Sequence, residues 1–219
     1  MRVYLLRHGE VTSHRGDVPI TADAERESFV AGESLAGQEA GRPILILSGE
    51  TRRAIDTAAH MAKGVSNAGG RVLGPRIAFA LRNPDLYVAG TRVNMVSSAE
   101  ALAEQVEGLT AEAVASLQFF PEFFASPDRI GWWLSHDSPP GENAAALAAR
   151  VQAFISSLTD PIIGDPQAVV AVTHSPLLRA VGLDLLGHDI GEPPWMSGLS
   201  IDVDPDGGMS AGTFDGRSG

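Results

Sequence analysis

The chain has 219 residues, enough for one sizeable α/β domain with its own core or for two small domains. Its formal net charge of −11 argues against a nucleic-acid partner, because binding to a phosphate backbone draws on a basic surface, although a few arginines in a pocket can still bind a small anion. The absence of cysteine from the sequence excludes disulfides, zinc–thiolate sites and cysteine nucleophiles.

Hydrophobic segments of the chain are short. None approaches the roughly 18 residues of a membrane span, so we expect no membrane partner. The apolar run at 3–6 is too short for the core of a signal peptide, and Arg7 follows it at once. We therefore expect a cytoplasmic protein.

Short apolar runs alternate along the chain with segments in which apolar residues recur at helical spacing. In chain order these patterns predict a strand at 3–6, a helix at 22–35, a strand at 43–48, a helix from 51 to about 64, one or two strands within 71–82, a loop at 83–90, helices at 98–107, 111–120 and 144–158, a strand at 168–172, a helix at 176–187 and a C-terminal hairpin. The predicted N-caps are Thr21, Ser97 and Thr110, and the predicted helix-ending glycines are Gly64 and Gly187.

Strands that alternate with helices predict a three-layer α/β/α sandwich with a mostly parallel central sheet, closed by a C-terminal edge hairpin. We find no internal repeat and no linker, so residues 1–219 are predicted to form one domain. Residues 95–137 are predicted to be a helical cap inserted over one edge of the sheet. Six aromatic residues of this cap are expected mainly to pack its own core, with one or two at the mouth of a pocket: Phe119, Phe120, Phe123, Phe124, Trp132 and Trp133.

Cationic and imidazole side chains follow three of the predicted strands. Arg7 and His8 end the first strand, the second leads to Arg52 and Arg53, and the strand at 168–172 leads to Thr173 and His174. Side chains at the carboxyl ends of neighbouring parallel strands converge. Such a set is repulsive unless it encloses an anion, and a phosphoryl group fits best because arginine offers forked donors and a neutral imidazole is a competent nucleophile. Gly9 is predicted to open a helix and to let the backbone approach this ligand.

Four motifs in this order carry a resemblance to a known family. They are LLRHGE at 5–10, SGETRRAIDTA at 48–58, PPGEN at 139–143 and VVAVTHSPLLRAV at 169–181. Together they resemble the histidine phosphatase superfamily, the phosphoglycerate-mutase-like clan, over roughly residues 1–185.

The resemblance implies a role for each matched residue. His8 would attack phosphorus in line and become a phosphohistidine, which water would then cleave. Arg7, Arg53 and His174 would hold the non-bridging oxygens and neutralise developing charge. Because these groups take the part that a magnesium ion plays elsewhere, the resemblance implies no metal and no other cofactor. The expected partner is a small phosphorylated metabolite.

Two positions depart from the pattern of the family and indicate a divergent branch. The usual glutamate proton donor is replaced by Asn83, and an amide cannot protonate a leaving alkoxide. Asp85 is the nearest carboxyl group and is the predicted general acid, with Glu142 and Glu100 as the alternatives and Glu10 after them. His14 stands where the family often has an asparagine that contacts phosphate; it would still donate a hydrogen bond, but its charge would titrate near neutral pH.

Three functions remain open at this point. The first is a metal-independent phosphatase that hydrolyses a small phosphomonoester. The second is a phosphoglycerate-type mutase, for which Arg82 and Arg92 would have to hold the carboxylate of the intermediate. The third is a pseudo-enzyme that binds a phosphorylated ligand, since the usual glutamate is missing. The sequence also leaves open whether the chain forms a homodimer.

Overall fold

A six-stranded sheet lies at the centre of the computed structural model, which describes residues 1–13, 16–160 and 168–216. The strands in these residues are β1 (Arg2–Arg7), β2 (Ile44–Ser48), β3 (Val72–Ile77), β4 (Leu86–Val88), β5 (Thr91–Val93), β6 (Ala168–Thr173), β7 (Ser197–Val203) and β8 (Met209–Asp215). The sheet has the order β3-β2-β6-β1-β7-β8, and β4 and β5 form a separate ribbon. Its first four strands run parallel, whereas β7 and β8 pair antiparallel. The predicted parallel sheet and C-terminal hairpin are confirmed.

Helices cover both faces of the sheet. They are α1 (Ala22–Gln38), α2 (Arg52–Asn67), α3 (Ala99–Ala103), α4 (Ala111–Val114), α5 (Phe120–Ala125), α6 (Arg129–Leu134), α7 (Ala144–Ser157) and α8 (Ser175–Leu186). Alternate residues of β1 face opposite layers: Val3 and Leu5 join the apolar cluster of α7 and α8, and Tyr4 and Leu6 join that of α1 and α2. The α/β/α prediction is therefore confirmed. Within the described ranges, no helix has the length and apolar character to cross a membrane.

Helices α3 to α6 all lie within the segment predicted to be a cap. Their buried residues, among them Phe120, Phe123 and Trp133, belong to the same apolar cluster as α7 and α8. The indole Nε1 of Trp133, a fully buried residue, donates to the carbonyl oxygen of Glu142 at 3.1 Å. The cap therefore shares the core of the sheet, and the expectation that it would have a core of its own was wrong.

Several local predictions differ from the structure. The helices expected at 98–107 and 111–120 are shorter, at Ala99–Ala103 and Ala111–Val114. The helix expected to stop near Gly64 continues through it, because this glycine packs against α1: a Cβ there would lie 1.9 Å from the carbonyl oxygen of Phe29. Helix α3 is capped by Ser98 rather than by Ser97. The predicted loop at 83–90 contains β4, since the chain turns back there to pair with β5.

Candidate active site

The carboxyl ends of neighbouring strands bring the two histidines of the predicted site together. β6 lies beside β1, with Arg7 opposite Thr173 at the ends of the two strands. His8 and His174 follow directly, and both are buried. Their ring centroids lie 5.2 Å apart with an angle of 65° between the planes. The structure thus places the two imidazoles close together at the carboxyl ends of β1 and β6.

Backbone contact fixes one nitrogen of His8. Its Nδ1 lies 2.8 Å from the carbonyl oxygen of Gly9, and because a carbonyl only accepts, Nδ1 carries the hydrogen. In the neutral ring Nε2 then holds the lone pair, which accepts a hydrogen bond from Nε of Arg53 at 3.2 Å. This tautomer makes Nε2 the nucleophilic atom of His8.

Gly9 serves helix packing. Its N–H donates to Oγ1 of Thr57 in α2 at 2.9 Å, and a Cβ at this position would lie 3.0 Å from Cβ of Ala24 in α1. The first helix begins at Ala22, so the expectation that Gly9 opens a helix was wrong. The glycine lets both helices approach the backbone that holds His8.

The N-terminus of α2 supplies the second arginine of the site. Arg53 lies in its first turn, and burial lowers the pKa of the guanidinium. The N-cap residue Thr51 contributes as well, with its Oγ1 3.3 Å from Nε2 of His174. Arg52 is exposed to solvent and forms an ion pair within α2. Of the two consecutive arginines, Arg53 is therefore the one that reaches the imidazoles.

The guanidinium of Arg7 is enclosed by the loop that precedes β7. Its Nη1 donates to the carbonyl oxygen of Pro193 at 2.6 Å, and its Nη2 lies 2.8 Å from Oε1 of Glu192. Its Cζ lies 3.6 Å from the centroid of the Trp195 ring. Burial lowers the pKa of Arg7, and the charge of Glu192 opposes this shift.

Glu192 and Trp195 were not identified from the sequence. Their one signal there is the run EPPW at 192–195, in which two prolines hold a charged and an aromatic residue in a fixed loop. The Trp195 ring also lies near His8, with 5.2 Å between the ring centroids.

A cavity of about 460 Å³ opens onto this group of side chains. Its described lining consists of Arg7, His8, Arg53, Asn83, Met95, Val96, Ser97, Phe123, Pro127, Asp128, Arg129, Ile130, His174, Ser175, Pro176 and Glu192. Both histidines and both arginines that the sequence predicts for phosphate are in this set. His14, also predicted to contact phosphate, lies outside the described residues.

Residues from the predicted cap segment, 95–137, form part of the lining of the cavity. Phe123 is the aromatic residue of the cap among the lining residues, and its ring stacks on that of Phe119 with 5.6 Å between the centroids. Arg129 is half-buried there and forms no ion pair with any residue that the structure describes. This part of the lining therefore combines apolar surface with one further cation.

Asn83 enters the cavity because the chain before it is anchored to β6 and β2. The carbonyl oxygen of Leu81 accepts a hydrogen bond from Oγ1 of Thr173 at 2.8 Å. It also lies close to Gly49, where a Cβ would come within 2.8 Å of it. The amide that replaces the expected glutamate thus lines the same cavity as the two imidazoles.

The predicted proton donors, Asp85 and Glu142, are outside the described lining of the cavity. Asp85 accepts from Nε of Arg82 at 3.0 Å and pairs with Arg92; chiefly the hydrogen bond from Arg82 lowers the pKa of Asp85 to about 2. Glu142 accepts from the N–H of Asp85 at 2.8 Å and pairs with Arg150. A carboxylate held ionised by two arginines has no proton to give near neutral pH, so this environment opposes the role of Asp85 as general acid.

Known proteins resemble this chain in sequence pattern and in fold. The family model of the histidine phosphatase superfamily (branch 1) matches residues 93–201, a stretch that contains His174 but not His8. No curated protein matches the chain with significance.

Several solved structures share its fold over nearly the whole chain. A mycobacterial glucosyl-3-phosphoglycerate phosphatase is 21% identical with a TM-score of 0.61, covering 98% of this chain and 98% of that one. A phosphoserine phosphatase from Entamoeba histolytica is 14% identical with a TM-score of 0.60, covering 99% and 98% of the two chains. A phosphoglycerate mutase from Bacillus anthracis is 17% identical with a TM-score of 0.59, covering 99% and 93%. The family model thus assigns residues 93–201 of this chain to the histidine phosphatase superfamily, and the solved structures show that the chain shares their fold.

Proposed function

We propose that this chain is a phosphatase that hydrolyses a small phosphomonoester through a phosphohistidine on His8. One observation carries the proposal: the imidazoles of His8 and His174, 5.2 Å apart, line the same cavity as the guanidinium groups of Arg7 and Arg53. A nucleophile, a second imidazole and two cations around one small volume match the charge of a phosphoryl group.

The reaction has two displacements at phosphorus. In the first, the Nε2 lone pair of His8 forms a bond to phosphorus, and the ester P–O bond breaks with its electrons on the leaving oxygen, which takes a proton. In the second, water attacks phosphorus and gives up a proton, the P–N bond breaks, and inorganic phosphate leaves. Arg53, which donates to Nε2 of His8 at 3.2 Å, would turn this hydrogen bond to a phosphoryl oxygen when substrate enters.

The protein's own cations supply the electrostatic stabilisation in this proposal. The guanidinium of Arg7 is held by Pro193 and Glu192 before substrate binds, and that of Arg53 lines the same cavity. Donors that are preorganised around developing charge contribute strongly to stabilisation of the transition state. We therefore propose that the reaction proceeds without a metal ion, and activity in the presence of a chelator tests this point.

The lining of the cavity supports a substrate with an apolar or ring-bearing part beyond its phosphate. Met95, Val96, Phe123 and Ile130 provide apolar surface on the cap side, and Arg129 provides a cation. A volume of about 460 Å³ suits a small metabolite.

A mutase is the second candidate, and one observation weighs against it. A mutase has to retain a carboxylate-bearing intermediate, and the sequence offered Arg82 and Arg92 for this. Both arginines pair with Asp85 and are outside the described lining of the cavity. Hydrolysis of p-nitrophenyl phosphate, compared with isomerisation of 3-phosphoglycerate primed with its bisphosphate, separates the two activities.

The test of the proposal is the variant His8→Ala. We expect it to lower kcat for p-nitrophenyl phosphate by at least about a thousandfold, as removal of a covalent nucleophile does. The matched control is His188→Ala, which removes an exposed imidazole and is expected to leave kcat unchanged. An alkaline quench with a labelled phosphate ester should trap a phosphoryl group on wild-type His8. A wild-type chain that binds phosphate esters without acquiring this label would instead be a pseudo-enzyme.

A further inference from the structure

Two carboxylates, Asp128 and Glu192, are among the described residues that line the cavity. Asp128 is paired with Arg179, whose Nη1 and Nη2 donate to the two carboxylate oxygens of Asp128 at 2.7 and 2.6 Å. Chiefly this pairing lowers the pKa of Asp128 to about 2. An acid of that strength holds no proton near neutral pH, so Asp128 is unsuited to protonate a leaving group.

Glu192 has a different environment from Asp128. Its side chain is 49% exposed, and Oε1 lies 2.8 Å from Nη2 of Arg7. Its other oxygen, Oε2, accepts a hydrogen bond from the hydroxyl of Ser175, the first residue of α8. The carboxyl group therefore lies against the arginine that would bind the phosphoryl group, and it remains accessible to solvent.

Entry of a phosphate ester changes the charges around Glu192. The phosphoryl oxygens compete with this carboxylate for the guanidinium of Arg7, and their negative charge favours the protonated form of a carboxyl group within a few ångströms. Because the side chain is partly exposed, solvent can deliver that proton. Substrate binding would thus supply Glu192 with the proton that a general acid has to donate.

We propose that Glu192 is the general acid of this chain, in place of the amide at position 83 and of Asp85. The inference rests on the phosphatase function proposed above. As His8 forms its bond to phosphorus and the P–O bond breaks, the carboxyl proton of Glu192 passes to the leaving oxygen. In the second displacement the Glu192 carboxylate takes a proton from the attacking water while the P–N bond breaks.

The experiment compares Glu192→Gln and Asp85→Asn with the wild type on p-nitrophenyl phosphate and phenyl phosphate. The two esters are similar in size, but phenolate is the more basic leaving group and depends more on protonation. The quantity measured is kcat/KM, because it reports the steps up to P–O cleavage. We expect Glu192→Gln to lower kcat/KM for phenyl phosphate by at least about 100-fold and for p-nitrophenyl phosphate by less than about fivefold. Asp85→Asn should change both values by the same small factor.

A pH profile gives a second measurement. The fall of kcat/KM for phenyl phosphate at high pH should be lost in Glu192→Gln, because that limb reports the acid. Equal losses on both esters would overturn the inference and leave Glu192 as a group that positions Arg7. A rise of kcat/KM for both esters would overturn it as well, since the Glu192 carboxylate would then only compete with the phosphoryl group for Arg7. In these cases the wild type still turns over and labels His8; if it does neither, the proposed phosphatase function itself has failed.

Discussion

Arg7 is held by contacts that do not come from the strand it ends. The centroid of the Trp195 ring lies 3.6 Å from Cζ of Arg7. In the same loop, the carbonyl oxygen of Pro193 contacts one terminal nitrogen of Arg7 and the Glu192 carboxylate contacts the other. A guanidinium stacked on an indole is attracted by the ring quadrupole and kept in one plane. This stacking keeps Arg7 aimed at the cavity before any anion arrives.

Replacing Trp195 should therefore weaken anion binding without removing a charged group. We expect Trp195→Leu to raise the inhibition constant of inorganic phosphate by about 5- to 30-fold, which corresponds to a cation–π contribution of about 1–2 kcal/mol. Trp195→Phe retains an aromatic ring, so the inhibition constant should rise by less. The measurement is competitive inhibition of p-nitrophenyl phosphate hydrolysis. If both variants bind phosphate as tightly as the wild type, the indole does not position Arg7.

At the scale of elements, α1 and α2 pack so closely that their backbones touch. A Cβ added to Gly32 of α1 would lie 2.2 Å from the carbonyl oxygen of Met61 in α2, and one added to Gly64 of α2 would lie 1.9 Å from that of Phe29. These glycines set the distance between the two helices. Since α2 carries Arg53 in its first turn, their packing also sets the position of that arginine.

The two glycines of α1 at 32 and 37 provide a matched test of this packing. Gly32→Ala should lower the free energy of unfolding by about 2 kcal/mol, because the methyl group meets backbone that cannot move aside. Gly37→Ala meets nothing within 4 Å and should raise it by about 0.5–1 kcal/mol through helix propensity. Urea unfolding followed by circular dichroism measures both. Equal effects of the two substitutions would show that the helices can separate freely.

The elements show how far the sequence could predict this molecule. Two signals that act within a few residues were confirmed: Thr21 caps α1, and Gly187 ends α8 with a φ of 75°. The prediction that α2 ends near Gly64 was wrong, because the sequence does not distinguish a glycine that ends a helix from one that packs against a neighbouring helix. The pairing of Asp85 with Arg92 depends on the turn between β4 and β5, which the sequence predicted only as a loop.

The same distinction holds for the candidate site. Arg7, His8 and His174 follow apolar strands directly, so the parallel sheet alone was enough to predict that they converge. Glu192 reaches the cavity from a loop some 180 residues along the chain from His8, and no local pattern connects the two.

At the scale of the whole molecule, several acidic residues are held in ion-pair groups with arginines. Asp85 pairs with Arg82 and Arg92, and Asp128 and Asp189 pair with the buried Arg179. The hydrogen bond from Arg82, and then that from Arg92, lowers the pKa of Asp85 from 3.8 to about 2. Because the folded chain binds this proton more weakly than the unfolded chain, the pairing stabilises the fold above about pH 4, and this stabilisation is lost as the pH falls towards 2.

Asp85→Asn should remove this contribution selectively. At pH 7 we expect the variant to be less stable than the wild type by about 1–2 kcal/mol, and the difference should shrink as the pH falls below about 4, where wild-type Asp85 begins to take up its proton. Asp128, whose pKa is also about 2, loses its ion pair equally in both proteins and cancels from the comparison. Asp137→Asn, at an exposed position, serves as the control. Urea unfolding at steps from pH 7 to pH 3 gives the two curves; a difference that stays constant over this range would show that Asp85 stabilises the ribbon by packing and not by its charge.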